Sequence, residues 1–273
     1  MATIGAALAA ARRTIDAIDA RILLAHVLGK DTTHLAAYPD APLTPEEARA
    51  FEAAVARRAE GEPAAYITGR REFYGLEFRV TPAVLIPRPE TELLVELALE
   101  RIPANRPCRV LDLGTGSGCV AIALAWARPR AEVYAVDASQ DALAVARENV
   151  ERIGVLNVRL AHGDWYEPCG DQRFDLVVAN PPYVADRDTH LAQGDLRYEP
   201  RSALVAGADG LAAIRRIVAH AGRHVTPGAT FLVEHGYEHG AACRALLGAA
   251  GFEDVRTWRD LAGRERVSGG RSA

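Results

Sequence analysis

The sequence has few cysteines and no long apolar runs. Only four cysteines occur among 273 residues, and none forms a Cys-x-x-Cys pair, which argues against a disulfide framework. No apolar run approaches the roughly 18 residues of a membrane span. The alanine-rich start is followed, not preceded, by the positive charges of Arg12 and Arg13, unlike a secretory signal. We therefore expect reduced thiols, a cytoplasmic location and no membrane partner.

The chain also lacks an excess of positive charge. It has 36 acidic and 32 basic residues, a net charge of −4, and the two signs are balanced over the first 80 residues. Gripping a phosphate backbone needs a basic surface. We therefore expect no direct nucleic-acid partner. Lys30 is the only lysine, and we interpret the preference for arginine as composition bias.

The first 60 residues have the apolar spacing of helices. Apolar side chains recur every three or four positions from Ile4 to Ala25, which predicts one helix that ends near Gly29. The segment 44–47, Thr-Pro-Glu-Glu, predicts a capping box at the start of another helix, with Gly61 as its end.

Beyond residue 70 the pattern changes twice. Short extended pieces interrupted by glycine and proline predict a hairpin between Glu72 and Pro87, and a helix is expected to open at Pro89. After Pro107, apolar strands alternate with helices, which predicts an α/β fold with a doubly wound, mostly parallel sheet. The tail 268–273 is expected to be frayed. The predicted strands are 110–113, 131–136, 157–161, 174–179, 230–234 and 252–258, and the predicted helices are 120–127, 140–153, 210–222 and 241–250.

A glycine-rich loop follows the first strand of this alternation. Its glycines allow a sharp turn and close approach to a ligand, although a tight turn without any ligand is the alternative. Cys119 stands where a dinucleotide fingerprint needs glycine or alanine, and Asp137 ends the next strand, where a carboxylate can accept ribose hydroxyls. S-adenosylmethionine, which has a ribose but no pyrophosphate, satisfies both features. The loop residues are Gly114, Thr115, Gly116, Ser117 and Gly118.

The tetrapeptide Asn180-Pro181-Pro182-Tyr183 follows the strand 174–179 directly. A conjugated NH₂ group is a poor nucleophile toward a sulfonium methyl, because its lone pair is delocalised. The Asn180 side-chain oxygen and the Pro181 carbonyl can each accept one N–H and so orient that lone pair. Tyr183 can stack on the planar group. The alternative is a rigid turn made by two prolines.

Several longer motifs resemble one family. They are Pro-Ala-Ala-Tyr-Ile-Thr-Gly at 63–69, Glu-Phe-Tyr-Gly at 72–75 and Val-Leu-Ile-Pro-Arg-Pro-Glu-Thr-Glu at 84–92, together with the glycine loop and residues 180–183. With them the chain resembles the PrmC/HemK family of release factor glutamine methyltransferases over about residues 60–270. The first 60 residues agree with that family in helical character only.

The resemblance implies methyl transfer from S-adenosylmethionine to the side-chain amide nitrogen (N5) of the glutamine in the Gly-Gly-Gln motif of class 1 peptide chain release factors. It implies a class I, Rossmann-like methyltransferase fold. The glycine loop, Asp137, Trp165 and Asn180 are expected to bind the cofactor, with Trp165 beside the adenine. The glutamine is expected to be held by Asn180, Pro181, Pro182 and Tyr183. Of these, Asn180, Pro181 and Tyr183 are expected to be catalytic.

The domains expected from this resemblance are a helical substrate-recognition domain over 1–70, a β-hairpin linker over 71–88 and the methyltransferase domain over 89–273. We expect a monomer without a bound metal. Arg88 and Glu90 are interpreted either as part of the substrate cleft or as a salt-bridged hinge.

Three other functions are compatible with parts of the sequence. Asn-Pro-Pro-Tyr also serves adenine N6 methylation in DNA, which needs a phosphate-gripping surface that the composition does not indicate. The segment from His235 to His239 matches H-x-x-E-H, a zinc motif, but Gly236 argues against the helix that the motif requires. A nicotinamide dehydrogenase would explain the glycine loop and leave residues 180–183 without a role.

Overall fold

The computed structural model describes residues 2–273 and divides into two compact units. The N-terminal unit comprises the chain up to Arg70 together with the segment His190–Tyr198. The sheet unit comprises Arg71–Thr189 and Glu199–Ala273. Among the described residues, no helix is both long and apolar enough to cross a lipid bilayer.

Five helices build the N-terminal unit, and a short 3₁₀ segment, Gly194–Tyr198, belongs to the same unit. Arg58 joins three parts of it, because its guanidinium lies 2.6 Å from Asp19 and 3.1 Å from Asp195. The core is a cluster of apolar side chains such as Leu23 and Phe51. The helices are α1 (Ile4–Ala11), α2 (Ala17–Leu28), α3 (Thr32–Ala37), α4 (Pro45–Ala59) and α5 (Ala64–Thr68).

The single helix predicted from Ile4 onward is wrong, because the chain forms α1 and α2 with a break between them. Asp16 causes the second start: its carboxylate accepts from the Ile18 N–H at 2.7 Å and caps α2. The apolar spacing continues across the break and therefore hides it. The predicted end is confirmed, since Gly29 closes α2 with a φ of 61°. The capping box at the start of α4 is also confirmed, with both hydrogen bonds between Thr44 and Glu47 present.

The sheet unit begins with a hairpin. Its strands are joined by Tyr74 and Gly75, whose φ values of 53° and 74° are those of a tight turn with two left-handed residues. The strands and helices predicted after Pro107 are all present, whereas the short helix after Pro200 and the last strand were not predicted. The strands are β1 (Arg70–Phe73), β2 (Leu76–Arg79), β3 (Cys108–Leu113), β4 (Ala131–Asp137), β5 (Val158–His162), β6 (Phe174–Ala179), β7 (Val225–Glu234), β8 (Phe252–Arg259) and β9 (Glu265–Ser272). The helices are α6 (Glu92–Leu99), α7 (Cys119–Ala127), α8 (Gln140–Ile153), α9 (Arg201–Leu204), α10 (Ala212–Ala221) and α11 (Gly240–Ala249).

The main sheet has seven strands in the order β5-β4-β3-β6-β7-β9-β8. The first five run parallel, whereas β9 is antiparallel to both of its neighbours. Neighbouring residues of β3 face different cores: Val110 packs with residues of α6 and α7, and Leu111 packs with residues of α10 and α11. The prediction of a doubly wound, mostly parallel sheet is thus confirmed.

The prediction of a frayed tail is wrong. Residues 268–272 belong to β9, which lies between β7 and β8 in the sheet. Two glycines of this segment are needed for packing, because a Cβ on Gly269 would lie 2.4 Å from the Phe231 carbonyl oxygen. A Cβ on Gly270 would lie 2.9 Å from the Glu253 carbonyl oxygen. There is therefore no space for a side chain at either position, and both require glycine.

Asn149 of α8 ties the hairpin to the glycine loop. It is fully buried, and its oxygen accepts from the Arg79 N–H at 2.7 Å. Its NH₂ group donates to the Arg79 carbonyl at 3.0 Å and to the Ser117 carbonyl at 2.9 Å. One side chain thus satisfies the backbone groups of two segments that are distant in sequence.

We expect Asn149→Ala to lower the free energy of unfolding by about 2–4 kcal/mol, because it leaves buried backbone groups without partners. Urea unfolding followed by circular dichroism measures this loss. Asn105→Ala, at an exposed position, is the matched control and should change stability little. Equal stability of both variants would show that the three hydrogen bonds of Asn149 contribute nothing.

Candidate active site

The pairing of four parallel strands brings the predicted site residues to one edge of the sheet. Leu113 of β3 pairs with Val136 of β4 and with Ala179 of β6, and Ala179 pairs with Val233 of β7. The residues that come next at this edge are therefore Gly114 after β3, Asp137 at the end of β4, Asn180 after β6 and Glu234 at the end of β7. This is the carboxyl edge, where ligands bind in doubly wound sheets.

The glycine loop is held by its neighbour strand. Both Gly114 and Thr115 donate their backbone N–H to the Val136 carbonyl, at 2.9 and 3.0 Å. The Asp137 carboxylate accepts from the Gly116 N–H at 2.8 Å, and its other oxygen accepts from the Ser139 N–H at 2.9 Å. Asp137 thus fixes the loop and keeps further lone pairs for a ligand.

Gly118 ends the loop and begins α7, with a φ of 82°. A Cβ at this position would lie 2.9 Å from the Ile122 Cδ1 atom and 3.3 Å from the Ala146 Cβ. Both the left-handed backbone and the lack of space therefore require glycine here. Gly118 itself is not among the residues that line the cavity described below.

Trp165 lies over the beginning of the loop. A Cβ on Gly114 would come within 3.3 Å of its ring, so glycine allows this close approach. The backbone of Trp165 has a φ of 52°, a conformation that is uncommon for a large side chain. Such strain is typical of functional sites, where the surrounding structure compensates for it.

One cavity of about 290 Å³ contains most of the predicted site residues. Besides Gly118, two of them, Pro181 and Tyr183, do not line it: Pro181 is buried, and the Tyr183 hydroxyl donates to the Glu234 carboxylate at 3.3 Å. The predicted residues that line the cavity are Gly114, Thr115, Gly116, Ser117, Asp137, Trp165, Asn180 and Pro182.

The Asn180 side chain has a partner that the sequence did not indicate. Its NH₂ group donates to the Thr91 hydroxyl at 3.0 Å, across 89 positions of the chain. Thr91 is buried and ends the 3₁₀ turn that precedes α6. The amide oxygen of Asn180 is thereby left as the group that a ligand can use.

Asp112 is a second residue that the sequence analysis missed as a site residue. It lines the cavity, is only 2% exposed, and accepts from the Thr115 hydroxyl at 2.6 Å. Burial raises the pKa of its carboxyl to about 7, and the charge of Asp137 adds to the rise, whereas Thr115 opposes it. A buried carboxylate of this kind is suited to pairing with a cation. Its position two residues before the first loop glycine was the available signal.

Arg88 also lines the cavity and forms a salt bridge with Glu199. The Glu199 side chain is fully buried and accepts in addition from the Ile86 N–H at 3.1 Å. The segment 84–92, the most distinctive of the sequence motifs, is thus fixed to the start of α9. Arg88 is therefore both salt-bridged and in the cavity, and its salt-bridge partner is Glu199, not Glu90.

His235 and His239 do not share a helical face. His235 follows β7, and its ring nitrogens contact the Gly236 carbonyl and the Ser268 hydroxyl, each at 2.8 Å. His239 lies at the start of α11. Within residues 2–273, no group of three or more histidine, cysteine, aspartate or glutamate side chains is arranged to hold a metal ion.

Comparisons with known proteins agree with this architecture. Residues 2–69 match the PrmC N-terminal domain, and residues 90–199 match the methyltransferase small domain. Among solved structures, a methyltransferase from Pyrococcus furiosus is similar, with a TM-score of 0.55 and 18% identity, over 80% of this chain and 97% of that one. A 16S rRNA methyltransferase from T. thermophilus, solved with AdoMet and guanosine, has a TM-score of 0.56 and 22% identity, over 75% and 50%. These two structures support the fold.

Curated relatives extend over nearly the whole chain. The release factor glutamine methyltransferase of Burkholderia pseudomallei is 54% identical over 94% of this chain and 92% of its own length. The protein of the same name from Salmonella typhimurium is 48% identical over 93% and 91%. They confirm the resemblance inferred from the sequence motifs. The chain belongs to the release factor glutamine methyltransferase family.

Proposed function

We propose that this chain transfers a methyl group from S-adenosylmethionine to the side-chain amide nitrogen of the glutamine in the Gly-Gly-Gln motif of class 1 release factors. The observation that carries the proposal is the single cavity that contains both the glycine loop and Asn180. A methyl donor bound at the loop and an amide held by Asn180 would share that cavity. The near-neutral charge does not favour the alternative substrate, adenine in DNA.

The cavity residues fit the cofactor. Asp137 has lone pairs left for ribose hydroxyls, and the ring of Trp165 offers a surface for the adenine. Asp112 suits the cationic amino group. The Ser117 hydroxyl is buried and has no hydrogen-bond partner among residues 2–273, so it is available to the cofactor's carboxylate. When bound, S-adenosylmethionine supplies an electrophilic methyl group on a sulfonium sulfur.

The residues that follow β6 orient the nucleophile. The Asn180 oxygen and the Pro181 carbonyl each accept one N–H of the glutamine side chain, which turns the nitrogen lone pair toward the methyl group. The new C–N bond forms as the C–S bond breaks, and the nitrogen then loses a proton to solvent. Positioning and hydrogen bonding supply the catalysis, so a strong base is not required.

We propose that the N-terminal domain over 1–70 recognises the release factor, because one glutamine amide offers too little surface for selectivity. Residues 71–88 form the linker, and residues 89–273 carry the chemistry. The segment His190–Tyr198 packs within the N-terminal unit, so it belongs to the recognition region in this proposal. Bacterial release factors act in the cytoplasm, where we propose that the enzyme works as a monomer.

Mass spectrometry of a release factor incubated with the enzyme and S-adenosylmethionine tests the proposed function. We expect the mass of one methyl group to be added to the peptide that contains Gly-Gly-Gln, on the glutamine. A release factor with that glutamine replaced by alanine is the control and should stay unmodified. Methylation of adenine in duplex DNA instead, with no change in the release factor, would contradict the proposal.

Asn180→Ala and Asp137→Ala should impair different steps, turnover in the first variant and cofactor binding in the second. Loss of the Asn180 oxygen removes substrate orientation, so kcat should fall by about 100-fold or more while cofactor affinity changes little. Loss of the Asp137 carboxylate should weaken cofactor binding by about 10-fold or more, because charge-assisted hydrogen bonds are lost. Calorimetry measures cofactor affinity and turnover at saturating cofactor measures kcat, so together they separate the two effects. Asp141→Ala, at an exposed neighbouring position, is the control. Normal turnover by Asn180→Ala would refute its role.

Cofactor affinity should rise with pH toward about 7, the value to which burial raises the pKa of Asp112. Below it Asp112 is neutral and cannot pair with the cationic amino group, so affinity should fall by up to about tenfold per pH unit. Titration calorimetry from about pH 5 to about pH 6.7 stays about one unit below the α-amino pKa of about 7.7–8.0, so the cofactor's own amine remains charged. Asp112→Asn should give a flat profile, and a pH-dependent Asp112→Asn variant would assign the effect to another group.

A further inference from the structure

The turn between β8 and β9 projects beyond the carboxyl edge of the sheet. At this edge Asn180 lies next to Glu234, because the residues before them are paired. Glu234 pairs with Val267 of β9, and Val267 pairs with Trp258 of β8. The turn, residues 260–264, therefore extends past the row of residues that begins with Asn180.

Two large apolar side chains are exposed at this edge. Leu261 in the turn is fully exposed, and Tyr237, three residues after β7, is 55% exposed. Within residues 71–189 and 199–273, the only other large apolar side chains with such exposure are Trp126 and Leu156. These two lie shortly before β4 and β5 begin, at the opposite edge of the sheet. Leu261 and Tyr237 are thus the two that lie on the side of the active site.

Hydrogen bonds within the turn hold Leu261 in its exposed position. The Asp260 carboxylate accepts from the backbone N–H groups of Ala262 at 3.0 Å and of Arg264 at 2.9 Å. The Asp260 N–H donates to the Arg264 carbonyl at 2.9 Å, and the Gly263 N–H donates to the Asp260 carbonyl at 2.8 Å. A turn fixed in this way loses little conformational freedom when a partner binds, so more of the contact energy remains as affinity.

Arg264 connects the turn to Tyr237. Its guanidinium carbon lies 5.6 Å from the centre of the Tyr237 ring, a cation–π contact. The contact uses the face of the guanidinium and leaves N–H donors at its edge for other groups. We call Leu261, Arg264 and Tyr237 the hairpin surface. It places an aromatic ring and an arginine, two residue types enriched in protein interfaces, beside an exposed leucine.

We propose that the hairpin surface binds the release factor beside its Gly-Gly-Gln segment. This inference rests on the proposed function and deepens it, because it adds a contact on the sheet unit to the proposed recognition by the N-terminal domain. The partner is the protein substrate itself, which must approach the edge that carries Asn180 for its glutamine to be methylated.

The dimensions of a protein interface support this partner. Neighbouring strands lie about 4.8 Å apart, so the turn lies about 10–15 Å from β6 along the sheet. A standard interface buries about 800 Å² on each partner, which corresponds to a circular patch with a radius of about 16 Å. A release factor whose glutamine is held at Asn180 is centred on this edge, so its surface extends over the hairpin surface.

Leu261→Ala tests the contact without disturbing the fold, because the side chain is fully exposed. Binding is measured by calorimetry, at saturating S-adenosylmethionine, to a release factor whose Gly-Gly-Gln glutamine is replaced by alanine. We expect the Kd to rise by about 5- to 20-fold, as for truncation of an interface contact. For methylation of the unaltered release factor, KM should rise similarly, while kcat and cofactor affinity stay unchanged.

Leu156→Ala is the matched control. It makes the same substitution at a side chain that is 98% exposed, at the opposite edge of the sheet, and it should bind the release factor like the wild type. Tyr237→Ala should weaken binding as Leu261→Ala does, whereas Tyr237→Phe keeps the ring and should bind nearly normally.

The outcomes separate this inference from the proposed function. Normal methylation together with equal binding by the wild type and Leu261→Ala would overturn the inference and leave the function intact. Binding that depends on Leu261, without methylation of the unaltered release factor, would overturn the function and keep the inference. Light scattering of the enzyme alone covers the other occupant: a dimer that dissociates in Leu261→Ala would assign the surface to a second copy of the chain and overturn the inference.

Discussion

The active site depends on the parallel register of β3 with its neighbours. Because Leu113 pairs with both Val136 and Ala179, the glycine loop, Asp137 and Asn180 leave the sheet side by side. Each strand is buried on both faces, so a shift of one residue would turn apolar side chains into the wrong core. The same packing that stabilises the sheet therefore sets the spacing between the glycine loop and Asn180.

Several residues of the site have features that oppose folding, and the rest of the fold compensates for them. Asp112 and Glu234 are buried carboxyls with raised pKa values, and Trp165 has a left-handed backbone. Each of these features opposes folding on its own. They persist because the neighbours of Asp112 and Glu234 on their strands are fully buried and because Asn149 holds the glycine loop at Ser117. Such a distribution is expected where function needs groups that stability alone would not select.

Most of the residues that line the cavity could be predicted from the sequence, whereas the residues that lie behind Asn180 and Tyr183 could not. The glycine spacing, Asp137 and the tetrapeptide after β6 are local patterns with a chemical meaning. Thr91 and Glu234 carry no such pattern, because a threonine at a helix start and a glutamate at a strand end are ordinary in those places. They form hydrogen bonds with Asn180 and Tyr183, which lie 89 and 51 positions away in the sequence. Only the folded chain brings these side chains together.

Local interactions explain which elements the sequence determined by itself. The capping box of Thr44 and Glu47 and the left-handed end at Gly29 use neighbouring residues, so their patterns specify them directly. The alternation of apolar strands and helices likewise determined a doubly wound sheet. The strand formed by residues 265–272 and the hydrogen bond from Asn180 to Thr91 were decided by tertiary structure. The break at Asp16 is a local cap that the continuous apolar spacing hid. In β9, glycine marks a close approach to β7 and β8, whereas the same residues without partners would describe a flexible tail, and sequence alone does not distinguish the two.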